Sequence, residues 1–295
     1  MTDATLATTE PVSRRKSRDR WSIEFVFEAM LRPGNWAARL AYGIGLQGGV
    51  RTSTMSLDTT SAAAHAGRAP LRVAFASDFH AGGMTDDRVL DECCNALTAL
   101  QPDVLLLGGD YVSVRGVDVE RIAPRLAAVP ATHGKFAVLG NHDLHADHAH
   151  IESQLEQAGI TLVTNRHVAL PAPFDDIVIC GLDDAMAGHP RADLALDGTS
   201  GTRIVLMHSP DGLTAIGDRH FDLALCGHTH GGQIATPWGA PVIVPGGRLS
   251  RRYCRGRYDV GGEKPRELLV SHGVGCSSLP VRMFAAPEVH LCLIM

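Results

Sequence analysis

The chain has 295 residues, of which 45% are hydrophobic and 20% charged, an ordinary balance for a globular protein that can bury a sizeable core. A formal net charge of −5 argues against general nucleic-acid binding, which needs a basic surface to neutralise phosphates, so no nucleic acid is expected as a partner. Seven cysteines with no CxxC, Cys93 and Cys94 being adjacent, make neither a disulfide framework nor a zinc knuckle and imply a reducing compartment.

Residues 1–20 are polar and close on Arg14, Arg15, Lys16, Arg18 and Arg20, which reads as a disordered basic arm. A twin-arginine export signal would need an uninterrupted apolar stretch next. Asp19, Glu24 and Glu28 interrupt it, so export is disfavoured and a cytoplasmic location is expected. From Trp21 to Leu31 the apolar positions Ile23, Val26, Phe27, Met30 and Leu31 follow the spacing of an amphipathic helix, stopped by Pro33-Gly34. A weaker apolar stretch runs from Trp36 to Leu46. Residues 21–50 thus form an amphipathic N-terminal segment, too short to span a bilayer, which takes about 20 apolar residues. Two fates suit it: packing on the catalytic domain or a second subunit, or peripheral membrane contact through residues 14–46. Residues 51–69, rich in Ser, Thr, Ala and Gly, read as a linker.

Residues 70–295 form the catalytic domain. Leu71 to Ser77 is an apolar run ending in Asp78-Phe79-His80, followed by a helical pattern from Asp86 to Leu100. Asp103 to Leu107 ends at Gly108-Gly109-Asp110, with a helix expected over 117–129. Lys135 to Leu139 ends at Gly140-Asn141-His142-Asp143, with a helix expected over 149–158. Asp78, Asp110 and Asn141 are spaced by 32 and 31 residues, near the length of a βαβ unit, which puts all three at strand ends on one sheet edge. Further strands are expected over 177–181, over 203–207 ending at His208, and over 221–226 ending at Gly227-His228-Thr229-His230. An extended backbone there would send both imidazoles to one side.

A lone Asp or His at a strand end is usually a turn former or a helix cap. Five clusters in order, each closing an apolar run, imply a site for two divalent metal ions that clamps a phosphoryl group and activates a water. Asp110, central in the order, is the candidate bridge. Asp78, His80 and His230 complete one metal, and Asn141, His208 and His228 the other. Mixed nitrogen and oxygen ligation suits Mn, Fe or Zn. His142 stands beside them as the catalytic acid for the leaving oxygen.

These five blocks resemble those of the calcineurin-like metallophosphoesterases over residues 70–295. The resemblance implies an α/β fold, a four-layer α/β/β/α sandwich of two mixed sheets flanked by helices, with a dinuclear centre that hydrolyses phosphomonoesters or phosphodiesters. Gly231-Gly232-Gln233, Gly181-Leu182-Asp183-Asp184 and Gly273-Val274-Gly275 before Leu279-Pro280-Val281-Arg282 are similar to the bacterial YkuE/YaeI-like branch, whose relatives include hydrolases of the UDP-2,3-diacylglucosamine pyrophosphate. His272 stands where that branch leads one to expect an arginine.

Arg248, Arg251, Arg252, Arg255 and Arg257 form a basic run in a loop-like stretch, with Arg251 and Arg252 the candidate substrate contacts. His145, His148 and His150 are expected to be solvated or capping, and Asp183 and Asp184 to be turn carboxylates. The reading reached is a metal-dependent phosphohydrolase that prefers phosphodiester or pyrophosphate bonds over phosphomonoesters. Its rivals are a lipid-precursor pyrophosphatase and a non-catalytic metal-binding scaffold.

Overall fold

The apolar runs that end in Asp, Asn or His become parallel strands, and their residues alternate between two cores. A computed structural model describes residues 23–58 and 67–295. Helices α1 (Ile23–Leu31) and α2 (Trp36–Gly43) lead into β1 (Arg51–Leu57), β2 (Leu71–Ala76), α3 (Asp87–Ala99), β3 (Val104–Leu107), α4 (Ala123–Ala128), β4 (Lys135–Ala137), α5 (Asn141–His145), α6 (His148–Gln157) and β5 (Thr161–Leu162). There follow β6 (Arg166–Ala169), β7 (Ile177–Gly181), α7 (Ala192–Leu196), β8 (Thr202–Leu206), α8 (Leu213–Ile216), β9 (Leu223–Cys226), α9 (Arg248–Arg252), β10 (Gly256–Asp259), β11 (Glu267–Val270) and β12 (Glu288–Ile294).

Two six-stranded mixed sheets result, ordered β1-β12-β2-β3-β4-β5 and β10-β11-β9-β8-β7-β6. Strands β2 to β5 run parallel, as do β7, β8, β9 and β11, while β12 is antiparallel to β2 and β6 to β7. In β2, Leu71, Val73 and Phe75 enter the core between the sheets, where they meet Ile179, Ile204 and Leu225. Ala74 and Ala76 face the opposite way, onto Leu90, Cys93 and Leu97 of α3. The second sheet does the same, with Val205 and Ala224 packed against Ala195 and Ile216 of α7 and α8. The inner strands of each sheet are dry on both faces, which is why they read as unbroken apolar runs. The four-layer α/β/β/α sandwich is observed.

Three local expectations are corrected. Residues 51–57, read as linker, are strand β1, paired in parallel with β12 along its whole length. Its residues through Ser56 are exposed or half-buried, so the strand carries no apolar signal, and its partner lies more than 200 residues away. The helix expected over 117–129 divides into a 3-10 turn, Gly116–Arg121, and α4, because Pro124 in the first turn of α4 has no N–H to continue a helix. The amphipathic segment lies the other way round from its pattern. In α1 Glu28 is 2% exposed while Met30 is 68% exposed, and α2 buries Ala37, Ala38 and Ala41 and turns Trp36, Leu40 and Ile44 outward. The basic arm, Trp21 and residues 59–66 of the expected linker lie outside the described residues. No helix among the described residues is long and apolar enough to cross a membrane.

Glu28 latches α1 to the domain. Its Oε1 accepts from the Gly83 N–H at 2.8 Å and from Arg32 at 2.9 Å, and Arg32 reaches on to Asp118. Glu28→Ala removes that acceptor and should cost about 1–3 kcal/mol in urea unfolding. Hydrogen exchange should quicken in α1 and leave β2 and β3 protected; equal protection of α1 in both proteins would contradict the latch.

Candidate active site

The carboxyl ends of β2, β3, β4, β8 and β9 deliver the site. Asp78 and His80 follow β2, Asp110 follows β3, Asn141 follows β4, His208 follows β8, and His228 and His230 follow β9. All seven are gathered into one cluster, and all but the half-buried Asn141 are buried. The means differs from the one expected at His228-Thr229-His230. That backbone is not extended: His228 and His230 have φ of 69° and 53°, and Asp78, His80 and Asp110 are likewise left-handed at 55°, 42° and 55°. Strands β2, β3 and β9 thus end in reversals that swing these side chains inward. Asp and His tolerate this region better than most residues, though it still costs of order 1 kcal/mol or more apiece.

Close approach then demands glycine at two positions. A Cβ on Gly140 would strike the Asp110 carboxylate and the His208 ring, and one on Gly227 would strike Asp78 and Ser77.

Two groupings share Asp110. In the first, His80 Nε2 and His230 Nε2 are 3.1 Å apart, with Asp110 Oδ2 3.5 Å from His80 and Asp78 Oδ1 3.6 Å from His230. In the second, His208 donates from Nδ1 to the Gly108 carbonyl at 2.8 Å, which leaves the Nε2 of a neutral ring with a lone pair. That Nε2 faces Asn141 Oδ1 at 3.2 Å, Asp110 Oδ2 at 3.3 Å and His228 Nδ1 at 3.2 Å. Lone pairs converging at these distances repel unless a proton or a cation lies among them. The donor set of imidazoles, carboxylates and one amide oxygen fits a divalent metal at each grouping.

Electrostatics agree. Burial, with neighbouring imidazoles and Arg282 adding to it, holds His80 and His230 well below the ordinary histidine value. Burial likewise takes His228 down to about 3. These three rings are neutral, as ligands must be. Burial works to raise Asp110, but the imidazoles of His208, His142 and His80 outweigh it and hold that carboxyl well below its usual range. Asp78 is pushed up to about 6, by burial first and then by the charge of Asp110. For His208, burial is overcome by Asp110 and Asp78, which raise it well above the ordinary value.

His142 sits at the edge, half-buried. Its N–H donates to Asp110 Oδ1 at 2.9 Å, its Nδ1 lies 2.6 Å from the Ser113 carbonyl, and its ring stands edge-on to His80 with centroids 4.8 Å apart. Arg251 and Arg252 are exposed at the end of helix α9, where a loop was expected. Asp183 and Asp184 accept from backbone N–H groups of their own turn, and His150 pairs with Glu120 at the surface, as expected for both.

Two residues escaped the sequence reading. Asp143 was quoted only as the end of a tetrapeptide, yet its carboxylate accepts from the N–H groups of Asp110, Tyr111, Val112 and Gly140 at 2.7–3.2 Å. Four converging amides favour the anion, while burial and the charge of Asp110 push the group up to about 7. Arg282 is buried behind the first grouping and donates to the carbonyls of Gly275 at 2.8 Å and His272 at 2.9 Å, with Nη2 3.1 Å from His230 Nδ1. A guanidinium therefore does stand behind the Gly-x-Gly turn, supplied from ten residues beyond His272. No local pattern marks either role.

Two mixed sheets carrying this Asp, Asn and His cluster at their strand ends define a hydrolase of phosphoester bonds. The family model for calcineurin-like phosphoesterases matches residues 71–232, and the chain belongs to that family. Metallophosphoesterase YkuE of Bacillus subtilis is 33% identical over 196 residues, 64% of this chain and 66% of that protein. Phosphodiesterase YaeI of Escherichia coli is 30% identical over 225 residues, 75% of this chain and 81% of that protein. Among solved structures, NAD nucleotidase of Haemophilus influenzae superposes with a TM-score of 0.44 at 12% identity, covering 69% of this chain and 45% of that one, a likeness too loose to carry any part of the reading.

Asp143→Ala leaves four buried N–H groups without an acceptor and should cost about 3 kcal/mol or more in urea unfolding, with less metal retained by elemental analysis. Metal binding must also displace the proton that Asp78 holds up to about pH 6 and the proton held by His208. Both folded-state values are raised, so the proton-bound form is favoured below them and affinity for Mn²⁺ climbs as pH passes through them. Calorimetry in buffers of different ionisation heat should show proton release; identical heats would contradict it.

Proposed function

We propose that the chain hydrolyses phosphodiester or pyrophosphate bonds, in preference to phosphomonoesters, with two divalent ions, Mn, Fe or Zn. One observation carries this reading. The same oxygen, Asp110 Oδ2, lies 3.5 Å from His80 Nε2 and 3.3 Å from His208 Nε2, so a single carboxylate serves both groupings. When bound, the metal pair supplies Lewis-acid polarisation of a phosphoryl oxygen and an acidified water.

The protein's part is position and proton control. Asp78, His80 and His230 would hold one ion and Asn141, His208 and His228 the other, with Asp110 available to both groupings. Two carboxylates against two divalent cations leave the site positive, which suits an anionic phosphoryl group. The Ser113 carbonyl takes the Nδ1 proton of His142 and fixes its tautomer, so that Nε2 is the atom that carries a proton to the leaving oxygen. Arg251 and Arg252 meet an anionic part of the substrate beyond the scissile bond. Exposed apolar side chains near the cleft favour a second reading, a nucleotide-lipid pyrophosphatase. The scaffold rival is the weakest, since every ligand and His142 are present.

Metal-stripped protein refilled with Mn²⁺ should cleave a chromogenic phosphodiester faster than the matching monoester. Asn141→Ala and His142→Ala should each lower kcat at least about 100-fold. Arg251→Glu with Arg252→Glu should raise KM for an anionic diester and leave kcat. Tightly held metal with turnover of neither ester would overturn the diesterase reading.

A further inference from the structure

Three segments remote in sequence meet in one rim beside the metal cleft. The Arg282 N–H donates to the Leu46 carbonyl at 2.7 Å, the Ala235 N–H donates to the Met283 carbonyl at 2.8 Å, and the Met283 N–H donates to the Gln233 carbonyl at 3.0 Å. A cleft of about 520 Å³ between them is lined by Leu46, Gln47, Pro237, Arg282 and Phe284. The rim also borders the site itself: Glu28 in α1 binds the loop just past His80, and Gly246 packs against the His228 ring.

The rim exposes what folding normally hides. Trp36, Leu40 and Ile44 project from α2 outward, and the loop after the His228-His230 turn exposes Trp238 at 83% and Ile243 at 73%, with Phe284 beside it. Solvent alone gives no reason to place alanines inward and tryptophan, leucine and isoleucine outward on the same two-turn helix.

Charge shows what covers this surface. In a chain of net charge −5, residues 29–57, 223–258 and 268–287 hold no Asp or Glu and nine arginines. Arg39, Arg51, Arg248, Arg251, Arg252 and Arg255 have no ion-pair partner among the described residues. The Arg255 guanidinium lies against Gly239, next to Trp238. The acids that border it are engaged elsewhere: Glu92 by the Tyr42 hydroxyl and the Gly49 N–H at 2.7 Å, Asp211 by the Leu249 and Ser250 N–H groups at 3.0 and 3.1 Å, and Glu288 by the His272 N–H at 2.8 Å and by His290 at 3.1 Å. Exposed tryptophan and aliphatic side chains flanked by the uncompensated Arg39, Arg51 and Arg255 match the interface of an anionic lipid bilayer, with apolar groups in the acyl boundary and guanidinium groups among the headgroups.

We propose that this rim docks the protein on an anionic membrane surface and turns the metal cleft toward the headgroups. Resting on the hydrolase reading above, it makes the substrate an anionic phosphodiester or pyrophosphate amphiphile presented by the lipid. The contact expected of residues 14–46 is thereby extended to two loops far along the chain.

The test is sedimentation of the full chain with vesicles of phosphatidylcholine alone and with added phosphatidylglycerol. Binding should appear with the anionic vesicles, weaken with salt, and fall at least about tenfold in a Trp238→Ser, Phe284→Ser double variant. Hydrolysis of a soluble diester should be unchanged in that variant, which separates failure of docking from failure of the hydrolase reading. Brominated lipid should quench tryptophan emission of the unsubstituted protein, a readout independent of how the variant folds. Absence of both sedimentation and quenching with anionic vesicles would overturn the proposal. So would a stable dimer that the double variant dissociates, since the face would then be a self-interface.

Discussion

The site depends first on one buried carboxylate, Asp143, that is not itself a candidate metal ligand. Asp143 draws the N–H groups of Gly140, Asp110, Tyr111 and Val112 onto its two oxygens. The loops after β3 and β4 are thereby tied at a fixed separation, and those loops carry Asp110 and Asn141. Its neighbours pull in the same direction: the His142 N–H binds Asp110 from the far side, and Ser77 donates to Asp78 Oδ2 at 2.6 Å. Backbone amides have no rotamers to lose, so an anion anchored by four of them is a stiff post on which to hang a cluster of like-facing lone pairs.

Stiffness is needed because the cluster opposes itself. Left-handed backbone at Asp78, His80, Asp110, His228 and His230 adds local strain to the repulsion among neutral imidazoles and carboxylates held 3.1–3.6 Å apart. The offsetting terms lie outside the cluster. Strands apolar on both faces bury two cores on either side of each sheet, and the Gly108 carbonyl and Asp143 hold the loops. Such a site leans on its scaffold, unlike small metal domains whose fold is itself the binding energy.

Which parts of this were legible in the sequence follows from the range of the interactions. Parallel strands buried on both faces announce themselves as apolar runs, so β2, β3, β7, β8 and β9 were readable, and the ligands at their ends with them. Strand β1 was not readable, because an exposed edge strand of Ser and Thr is defined by pairing with β12, at the other end of the chain. The inward turn of His228 and His230 was expected for the wrong reason: spacing of two suggested an extended segment, while the backbone turns through positive φ at both residues. Asp143 and Arg282 stand inside recognised motif blocks, but their roles depend on atoms brought together only by the finished fold, so the blocks mark the residues and not what they bind.

Recognition is then a matter of walls, since the same ligands would receive any phosphoryl group. Here the walls are unusual in how they divide labour by side-chain size. Helix α2 meets the domain through Tyr42 and through alanines, which allow close backbone approach and release little energy, and α1 meets it through the buried Glu28. Trp36, Leu40 and Ile44, which could have strengthened the α2 contact, are turned away from it, as are Val26 and Met30 in α1. A helix pair held this lightly by packing, yet latched in orientation by Glu28, Arg32 and Asp118, keeps its apolar surface available at the mouth of the site. The loops at 236–247 and 279–284 make the same exchange, giving up burial of Trp238, Ile243 and Phe284 near Arg51 and Arg255, which have no ion-pair partner among the described residues. Each segment alone could be a tolerated irregularity of the surface. Their hydrogen-bonded convergence sets the exposed apolar rim beside the cluster of candidate ligands, and it is the feature of this chain that the ligand set alone does not imply.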